Sequence, residues 1–182
     1  MSDKVSFLQR YRITLKLFAD NAKIYANIVD VCDVFELQKA LDSLTDWAQT
    51  WQLAISINKC CVLKVGKTKV ESKLYIYGGL LPIVTECRNL GVTMTSDLSM
   101  SNHISVIVAK AHQRANIILR CFVSRDRKLL VRAFEVYVRP ILEYNSVIWS
   151  PMLKKDIVSI EKVQRRYIKR LPGLKILHTW RG

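Results

Sequence analysis

The sequence lacks any apolar run near the roughly 20 residues that a membrane-spanning helix needs, and residues 1–5 do not open a signal-peptide apolar region. Its five cysteines are odd in number and show no Cys-x-x-Cys spacing, which argues against a disulfide framework or a zinc site. The three histidines are scattered, and none stands at ligand spacing from a cysteine. These absences predict an intracellular protein, cytoplasmic or nuclear, with reduced thiols and no membrane partner.

Acidic residues are also scarce, but only in the second half of the chain. Residues 1–100 contain twelve Lys or Arg and ten Asp or Glu, a net charge of +2. Residues 101–182 contain seventeen Lys or Arg and five Asp or Glu, a net charge of +12. Such an uneven charge distribution predicts that the second half binds a polyanion. Nucleic acid is the first candidate and an anionic membrane surface is the second. The alternative is a basic protein whose charge serves only solubility.

The pattern of residues 12–29 predicts a β-hairpin around Phe18-Ala19-Asp20-Asn21. Alternating segments, residues 12–17 and 23–28, flank these four residues, and each segment places its apolar side chains on one face. The turn would therefore present the carboxylate of Asp20 on a rigid support, which suits a metal ion. The alternative interpretation is that Asp and Asn are simply good turn residues.

The remainder of residues 1–95 predicts an α+β fold with antiparallel strands and one long helix. Asp30 or Asp33 can cap a helix that runs to about Trp51, with apolar residues at steps of three and four. Short β-branched segments at 53–58 and 61–66 predict two strands, and Gly78-Gly79 predicts a hairpin turn between two more. A final short strand is expected at 89–94.

From residue 96 onward the pattern predicts an all-α, basic bundle of about three helices. Ser101 or Asn102 can cap the first, Asp126 can cap the second, and the third spans about residues 155–171. The third helix places five cations opposite its apolar stripe: Lys162, Arg165, Arg166, Lys169 and Arg170. These cations either bind phosphates or form an ordinary solvated face. Seven more cations favour phosphate binding: Lys110, Arg114, Arg125, Arg127, Lys128, Arg132 and Arg139. Of these, Lys110, Arg114, Lys128 and Arg132 are the candidate binding residues.

Several motifs follow one another in an order that is typical of one family of proteins. An aromatic-Ala-Asp hairpin precedes a helix that carries Trp47 and Trp51, then Ile57-Asn58-Lys59-Cys60, then Asn89-Leu90-Gly91-Val92, then a basic helical region. This order resembles the reverse transcriptase of non-LTR (LINE-like) retrotransposons of the jockey and CR1 types, from the active-site hairpin through the palm and into the thumb. The resemblance covers roughly residues 12–175. It implies a partial palm in residues 1–95 and a thumb-like region in residues 96–182.

The resemblance also implies roles for individual residues. Asp20 matches an aspartate that helps to bind the catalytic magnesium in the family, and Asn21 replaces a second aspartate with a poorer ligand for a hard dication. Lys59 resembles a lysine that assists the departing pyrophosphate, although it also suits an ordinary turn. Leu90, Gly91 and Val92 resemble the primer-grip hairpin. The basic helices would then hold an RNA template paired with a DNA primer.

Departures from the family pattern predict a chain that does not polymerise DNA alone. Two-metal phosphoryl transfer needs carboxylates from two strands, and the 19 residues before Asp20 do not resemble the strand that carries the other family aspartate. A separate N-terminal polymerase half is therefore a further candidate partner. Two other hypotheses stay open: a non-enzymatic nucleic-acid-binding protein retained from such an element, and an interaction protein whose helical half packs on a partner.

Overall fold

The computed structural model describes residues 13–19, 21–67, 70–124 and 126–173. The chain divides into two compact units, Met1–Thr85 and Glu86–Gly182, called here the N-terminal and C-terminal units. About half of the chain is helical, and the strands form small two-stranded sheets. The predicted mixture of helix and strand is confirmed at this level, and the assignment of residues 1–95 and 96–182 to a palm and a thumb stays a prediction.

The N-terminal unit begins with the predicted hairpin. Strands β1 (Thr14–Phe18) and β2 (Asn21–Tyr25) pair antiparallel, and Phe18 lies opposite Asn21. Helix α1 (Val31–Thr50) follows. Its N-cap is Asp30, which accepts a hydrogen bond from the backbone N–H of Asp33 while the Asp33 carboxylate accepts one from Asp30, a reciprocal capping box.

Two small clusters form the core of this unit, and both involve α1. Ile13 and Ala40 are buried together, and Leu15 and Ile24 of the hairpin pack against them. The second cluster joins the other side of α1 to the later strands: Leu41, Leu74, Ile76 and Leu81. The base of the hairpin is therefore covered by the helix, whereas Leu17 and Phe18 near its tip are 57% and 62% exposed.

The strands that follow α1 are shorter than the sequence predicted. Residues 53–58 form no strand; a 3-10 turn spans Ile57–Lys59, because the N–H groups of Lys59 and Cys60 bond locally to Ser56 and Ile57. Strand β3 (Val62–Leu63) pairs with β6 (Ile83–Val84) in parallel, which corrects the expectation of antiparallel strands alone. Strands β4 (Tyr75–Ile76) and β5 (Gly79–Leu80) form an antiparallel hairpin.

Two left-handed residues fix the position of the β4–β5 turn, and one proline separates β5 from β6. Tyr77 and Gly78 form the turn of the β4–β5 hairpin with φ of 50° and 74°, so the turn lies one residue earlier than Gly78-Gly79. Pro82 has no N–H and separates β5 from β6, while its carbonyl accepts a 2.9 Å hydrogen bond from Val62.

The C-terminal unit opens with a hairpin, where the residue pattern predicted a single strand and the family resemblance implied a hairpin. Strands β7 (Glu86–Asn89) and β8 (Val92–Thr95) pair antiparallel. Leu90 and Gly91 form the turn with φ of 45° and 85°, and this left-handed pair reverses the chain in the middle of the predicted strand.

The helices of this unit number five in the described residues, where about three were predicted. They are α2 (Ser101–Cys121), α3 (Arg127–Tyr137), α4 (Arg139–Glu143), α5 (Ser146–Trp149) and α6 (Lys154–Ile168). Pro140 lacks the N–H that would continue α3, and Asn145, with φ 55°, separates α4 from α5.

Helix capping in this unit is partly as predicted. Asp126 caps α3 by accepting a hydrogen bond from the backbone N–H of Lys128, as expected. The N-cap of α2 is Met100, which makes no side-chain capping bond, where Ser101 or Asn102 was predicted. The hydroxyl of Ser101 instead donates a 2.7 Å hydrogen bond to the buried carboxylate of Asp156 on α6.

One continuous core holds the C-terminal unit together. It contains the predicted apolar stripe of α2 and residues from every later helix, with Trp149, Val163 and Leu171 almost completely buried. Val92 ties the β7–β8 hairpin into the same cluster. Within the described ranges, no helix is long and apolar enough to cross a membrane.

Candidate nucleic-acid interface

Helices α2 and α6 pack side by side in the C-terminal unit, and a cavity of about 450 Å³ lies where they meet. Three arginines, one asparagine and one leucine line it. Asn116, Leu119 and Arg120 come from α2, while Arg166 comes from α6 and Arg170 from the turn after it. We call this feature the arginine cavity. None of its lining residues is acidic.

Helical spacing explains why these side chains meet. Asn116 and Arg120 are four residues apart on α2 and share one flank of that helix. Arg166 lies in the last turn of α6, and Arg170 follows in the turn after it, where its backbone N–H bonds to the carbonyl oxygen of Tyr167. The apolar stripes of the two helices pack in the core immediately beside these side chains. The polar side chains are therefore brought together at the surface edge of the same helix pair.

The electrostatics of the cavity are strongly positive. The Arg170 Nη1 donates a 2.7 Å hydrogen bond to the Asn116 Oδ1, which fixes the direction of that guanidinium without neutralising it. Arg120 and Arg166 form no ion pair with any residue that the structure describes. His112 lies one turn before Asn116 and is half-buried; burial lowers its pKa, and the nearby charges of Arg166 and Arg170 lower it further.

The other predicted cations of α6 do not line the cavity. Lys162 and Lys169 are exposed beside it. Arg165 forms a 2.6 Å ion pair with Glu161 one turn earlier, and both side chains are well exposed, so this pair contributes little to stability. Two of the five predicted cations, Arg166 and Arg170, are thus brought together with partners from a second helix.

The predicted cations outside α6 lie on other faces. At about 100° per residue, Lys110 and Arg114 fall on the opposite flank of α2 from Asn116. Lys128 and Arg132 share the exposed outer face of α3, and Arg132 lies 3.8 Å from Glu135. A role for these four residues in binding nucleic acid stays a prediction.

The predicted primer-grip residues lie at the tip of the β7–β8 hairpin. The Tyr144 hydroxyl donates a 3.2 Å hydrogen bond to the carbonyl oxygen of Leu90. A Cβ on Gly91 would lie 3.0 Å from the Tyr144 ring, so only glycine lets the ring sit this close. Leu90 is 41% exposed, whereas Val92 is buried in the core. Of the three residues, Leu90 alone has an exposed side chain, and the primer-grip role of Leu90, Gly91 and Val92 stays a prediction.

The predicted catalytic residues lie in the N-terminal unit. Asp20 is outside the described residues. Asn21 is exposed at the start of β2, and Lys59 is exposed at the end of the 3-10 turn. In the described part of the chain, no three His, Cys, Asp or Glu side chains gather where they could hold a metal ion. Because Asp20 lies outside that part, the metal-binding roles of Asp20 and Asn21 and the catalytic roles of Asp20 and Lys59 stay predictions.

Arg120 and Asn116 were missed at the sequence level. Their signal was present, since His112, Asn116 and Arg120 recur every four residues along the edge of the apolar stripe of α2. That spacing predicts that the three side chains lie on the same flank of α2. It does not predict which residues of another helix face that flank. Only the packing of α2 against α6 shows that this flank meets two further arginines.

Comparisons with curated proteins find relatives from mobile elements. Over 143 residues, 74% of this chain, it is 27% identical to the probable RNA-directed DNA polymerase from transposon BS of Drosophila melanogaster, covering 16% of that protein. Over 176 residues, 93% of this chain, it is 23% identical to the RNA-directed DNA polymerase from mobile element jockey of Drosophila funebris, covering 19% of that protein. No family model matches the chain, and no solved structure does.

These relatives are RNA-directed DNA polymerases of mobile elements. The chain is similar to the polymerases of jockey and BS at low identity over most of its length, which confirms the resemblance to non-LTR retrotransposon reverse transcriptases seen in the sequence. It spans less than a fifth of the length of these two relatives.

Proposed function

We propose that this chain is a fragment of a non-LTR retrotransposon reverse transcriptase whose role is to hold nucleic acid. The observation that carries this proposal is the arginine cavity, in which three arginines converge with no acidic residue in the lining. A polynucleotide supplies the missing negative charge, and phosphate contacts need no particular sequence. Homology to RNA-directed DNA polymerases supports the same class of ligand.

The proposed ligand is an RNA template paired with a DNA primer. Lys162, Arg166, Lys169 and Arg170 on the α6 side would approach its phosphates, while Leu90 and Gly91 at the hairpin tip would meet the primer end, as the family resemblance implies. In this proposal residues 1–95 are a partial palm, residues 96–182 are a thumb, and the protein works inside the cell.

The 182-residue polypeptide is proposed to be catalytically incompetent by itself. Asn21 offers one neutral oxygen where a second carboxylate would be needed, and neutral amide oxygen is a weak ligand for magnesium. A polymerase half that supplies further carboxylates would be its partner. Magnesium, if such an assembly bound it, would stabilise the charge that develops during phosphoryl transfer.

The first test is binding of a fluorescent RNA–DNA hybrid across a salt titration. The logarithm of the association constant should fall linearly with the logarithm of salt concentration, with a slope of about 0.9 for each phosphate contact to a duplex. Binding without salt dependence, or no binding at low salt, would contradict the proposal. An uncharged peptide nucleic acid duplex is the matched control and should not bind.

The second test is primer extension with the same hybrid and either magnesium or manganese. No template-dependent synthesis is expected, either from the 182-residue polypeptide or from its Asn21→Asp variant. Synthesis by the unmodified polypeptide would overturn the proposed incompetence. Synthesis by Asn21→Asp alone would show that Asn21 is the only defect and that no polymerase partner is needed.

A further inference from the structure

We propose that the arginine cavity is a discrete binding site for one backbone phosphate of the nucleic acid, with Asn116 as a positioning residue for Arg170. This inference rests on the proposed function and makes it specific, because it assigns one phosphate to one place on the surface. It also adds Arg120, Asn116 and Leu119 to the candidate interface.

The first argument is convergence. Arginines from two different helices face one concavity, and a guanidinium can donate two parallel hydrogen bonds to a phosphate. Exposed lysines outside the cavity, such as Lys162 and Lys169, offer only single, mobile contacts. The cavity therefore holds a phosphate with fixed geometry, whereas its surroundings provide general attraction.

The second argument is preorganisation. The 2.7 Å hydrogen bond from Arg170 to Asn116 uses an uncharged acceptor, so it orients the guanidinium and leaves its charge available to a ligand. Arg165, by comparison, points its charge at Glu161 and is largely compensated. Arg165 and Arg170 therefore differ although they lie only five residues apart: a carboxylate balances the charge of Arg165, and a neutral amide oxygen leaves that of Arg170 unbalanced.

The third argument is the shape and chemistry of the lining. Leu119 is the one apolar residue in it, enough to contact a sugar but too little to bury lipid chains. A concave site of about 450 Å³ also suits a projecting phosphate better than the flat surface of a bilayer. Nucleic acid is therefore favoured over an anionic membrane as the source of the phosphate.

The experiment compares two charge-matched double variants of the full chain in hybrid binding. The cavity variant is Arg166→Gln with Arg170→Gln, and the control is Lys154→Gln with Lys155→Gln, two exposed cations at the other end of α6. The cavity variant should lose about a hundredfold in affinity, roughly tenfold for each charge-assisted contact, and the salt slope should fall by about two. The control should lose less than about threefold at the same salt.

His112 provides a readout that does not depend on hybrid affinity. The charged groups that act on it are Arg166 of α6 and Arg170 of the turn after α6. On its own helix, Asn116 and Arg120 follow it by one and two turns. A bound anion would offset the two arginine charges that depress its pKa, so titration with inorganic phosphate followed by histidine NMR should raise the pKa of His112. The rise should be absent in the cavity variant and present in the control variant.

A third variant, Asn116→Asp, separates binding from folding. A carboxylate at this position would form an ion pair with Arg170 and occupy the site with negative charge. The melting temperature should stay the same or rise, while hybrid affinity and the His112 response to phosphate should both fall by about tenfold or more. A purely structural asparagine would change stability and affinity in the same direction.

The outcomes separate this inference from the proposed function. Hybrid binding that survives in the cavity variant as well as in the control would overturn the cavity site and leave the proposed function standing. Failure of the unmodified chain to bind any hybrid would overturn both. Arginine-dependent binding to vesicles of equimolar phosphatidylcholine and phosphatidylserine, without hybrid binding, would replace nucleic acid with a membrane as the ligand.

Discussion

The two units bury their apolar residues very differently. In the C-terminal unit, a single cluster contains fifteen buried hydrophobic residues drawn from α2 to α6 and from β8. In the described part of the N-terminal unit, the clusters contain four and two such residues. Large apolar side chains remain exposed in both units, for example Phe18 at 62% and Phe35 at 64% in the N-terminal unit and Val123 and Met152, each at 93%, in the C-terminal unit. What differs is the size of the described core, and the larger core indicates that the C-terminal unit is better able to fold by itself than the N-terminal unit.

Local structure explains this contrast. Helices of 21, 11 and 15 residues each carry a continuous apolar stripe, so three of them enclose a core by packing together. The strands β3 to β6 are only two residues long, and a two-stranded sheet of that length buries little surface on either face. One helix, α1, must then cover both the β1–β2 hairpin and the later strands.

The largest expected effect comes from expressing the units separately. Residues 86–182 should be monomeric and should melt cooperatively, because their core is contained within the unit. Residues 1–85 should aggregate or melt without a cooperative transition, because their described core clusters are small and their two-stranded sheets expose edges. Size-exclusion chromatography and thermal circular dichroism measure both properties.

The matched control for that experiment is residues 1–85 carrying Phe18→Lys and Phe35→Lys. These substitutions remove two exposed apolar side chains without touching either core cluster. They should improve solubility while leaving melting weakly cooperative. A sharp, monomeric transition of the unmodified residues 1–85 would refute the contrast between the units.

The next largest effect concerns Trp149, which is 2% exposed in the C-terminal core. Its Nε1 donates a 2.7 Å hydrogen bond to the Tyr144 carbonyl oxygen, and its ring meets the edge of His103 at 5.5 Å between centroids. Trp149→Ala should lower the free energy of unfolding by about 3–5 kcal/mol, measured by urea denaturation. Trp149→Phe keeps most of the packing and should cost about 1–2 kcal/mol.

A residue of the N-terminal core provides the comparison for Trp149. Leu41 is 7% exposed, but most of its neighbours are only partly buried and can shift toward the space it leaves. Leu41→Ala should therefore cost about 2–3 kcal/mol, at the lower end of the range for such changes. If Leu41→Ala cost as much as Trp149→Ala, the N-terminal core would be as tightly packed as the C-terminal one.

Hairpin turns in the two units give a smaller and more controlled contrast. Gly78 and Gly91 both have positive φ, 74° and 85°, at the second turn position. A Cβ at Gly78 would meet nothing within 4 Å, whereas one at Gly91 would lie 3.0 Å from Tyr144. Gly78→Ala should cost about 1 kcal/mol for backbone strain alone, and Gly91→Ala should cost about 2–3 kcal/mol because the ring must also move.

The double variant Gly91→Ala with Tyr144→Ala tests the origin of that difference. If the contact with the Tyr144 ring causes the extra cost, adding Gly91→Ala to Tyr144→Ala should cost about 1 kcal/mol, as Gly78→Ala does. An unchanged cost of about 2–3 kcal/mol in that background would place the strain in the turn itself. Urea denaturation of the four variants completes the cycle.

The parts of the fold that the sequence predicted depend on local patterns. The capping box of Asp30 and Asp33 and the steps of three and four fix α1 within its own residues. The β1–β2 hairpin likewise follows from alternation and a short connection. The parallel pairing of β3 with β6 joins residues about twenty positions apart through only two residues each, and no local pattern specifies such a partner.

The candidate site divides in the same way. The charges of Arg166 and Arg170 were predicted from the wheel of one helix. Arg120 and Asn116 could not be assigned, because their role depends on how closely α2 packs against α6. The left-handed conformation of Asn145, which separates α4 from α5, was not predicted for a related reason. Asparagine adopts many backbone conformations, so its presence in the sequence does not predict a left-handed one.

The smallest expected effect is a pH dependence confined to the C-terminal unit. Residues 1–85 contain no histidine. His103 is buried, its Nδ1 accepts a 3.2 Å hydrogen bond from the Thr93 N–H, and its Nε2 has no hydrogen-bond partner among the described residues. Burial lowers its pKa below the ordinary 6.5, and Lys110 and Arg88 lower it further, so the unfolded chain binds this proton more readily than the folded one.

The sign of the effect follows directly. The contribution of His103 to stability is complete above about pH 6.5 and is lost as the pH falls through 6.5 toward the lower folded pKa. His112, whose pKa is also lowered, adds a second contribution of the same sign. Unfolding by urea at intervals from about pH 7 to about pH 5 should therefore show falling stability. His103→Asn keeps an acceptor for Thr93 and should make that fall shallower, whereas an unchanged slope would show that His103 does not charge in this range.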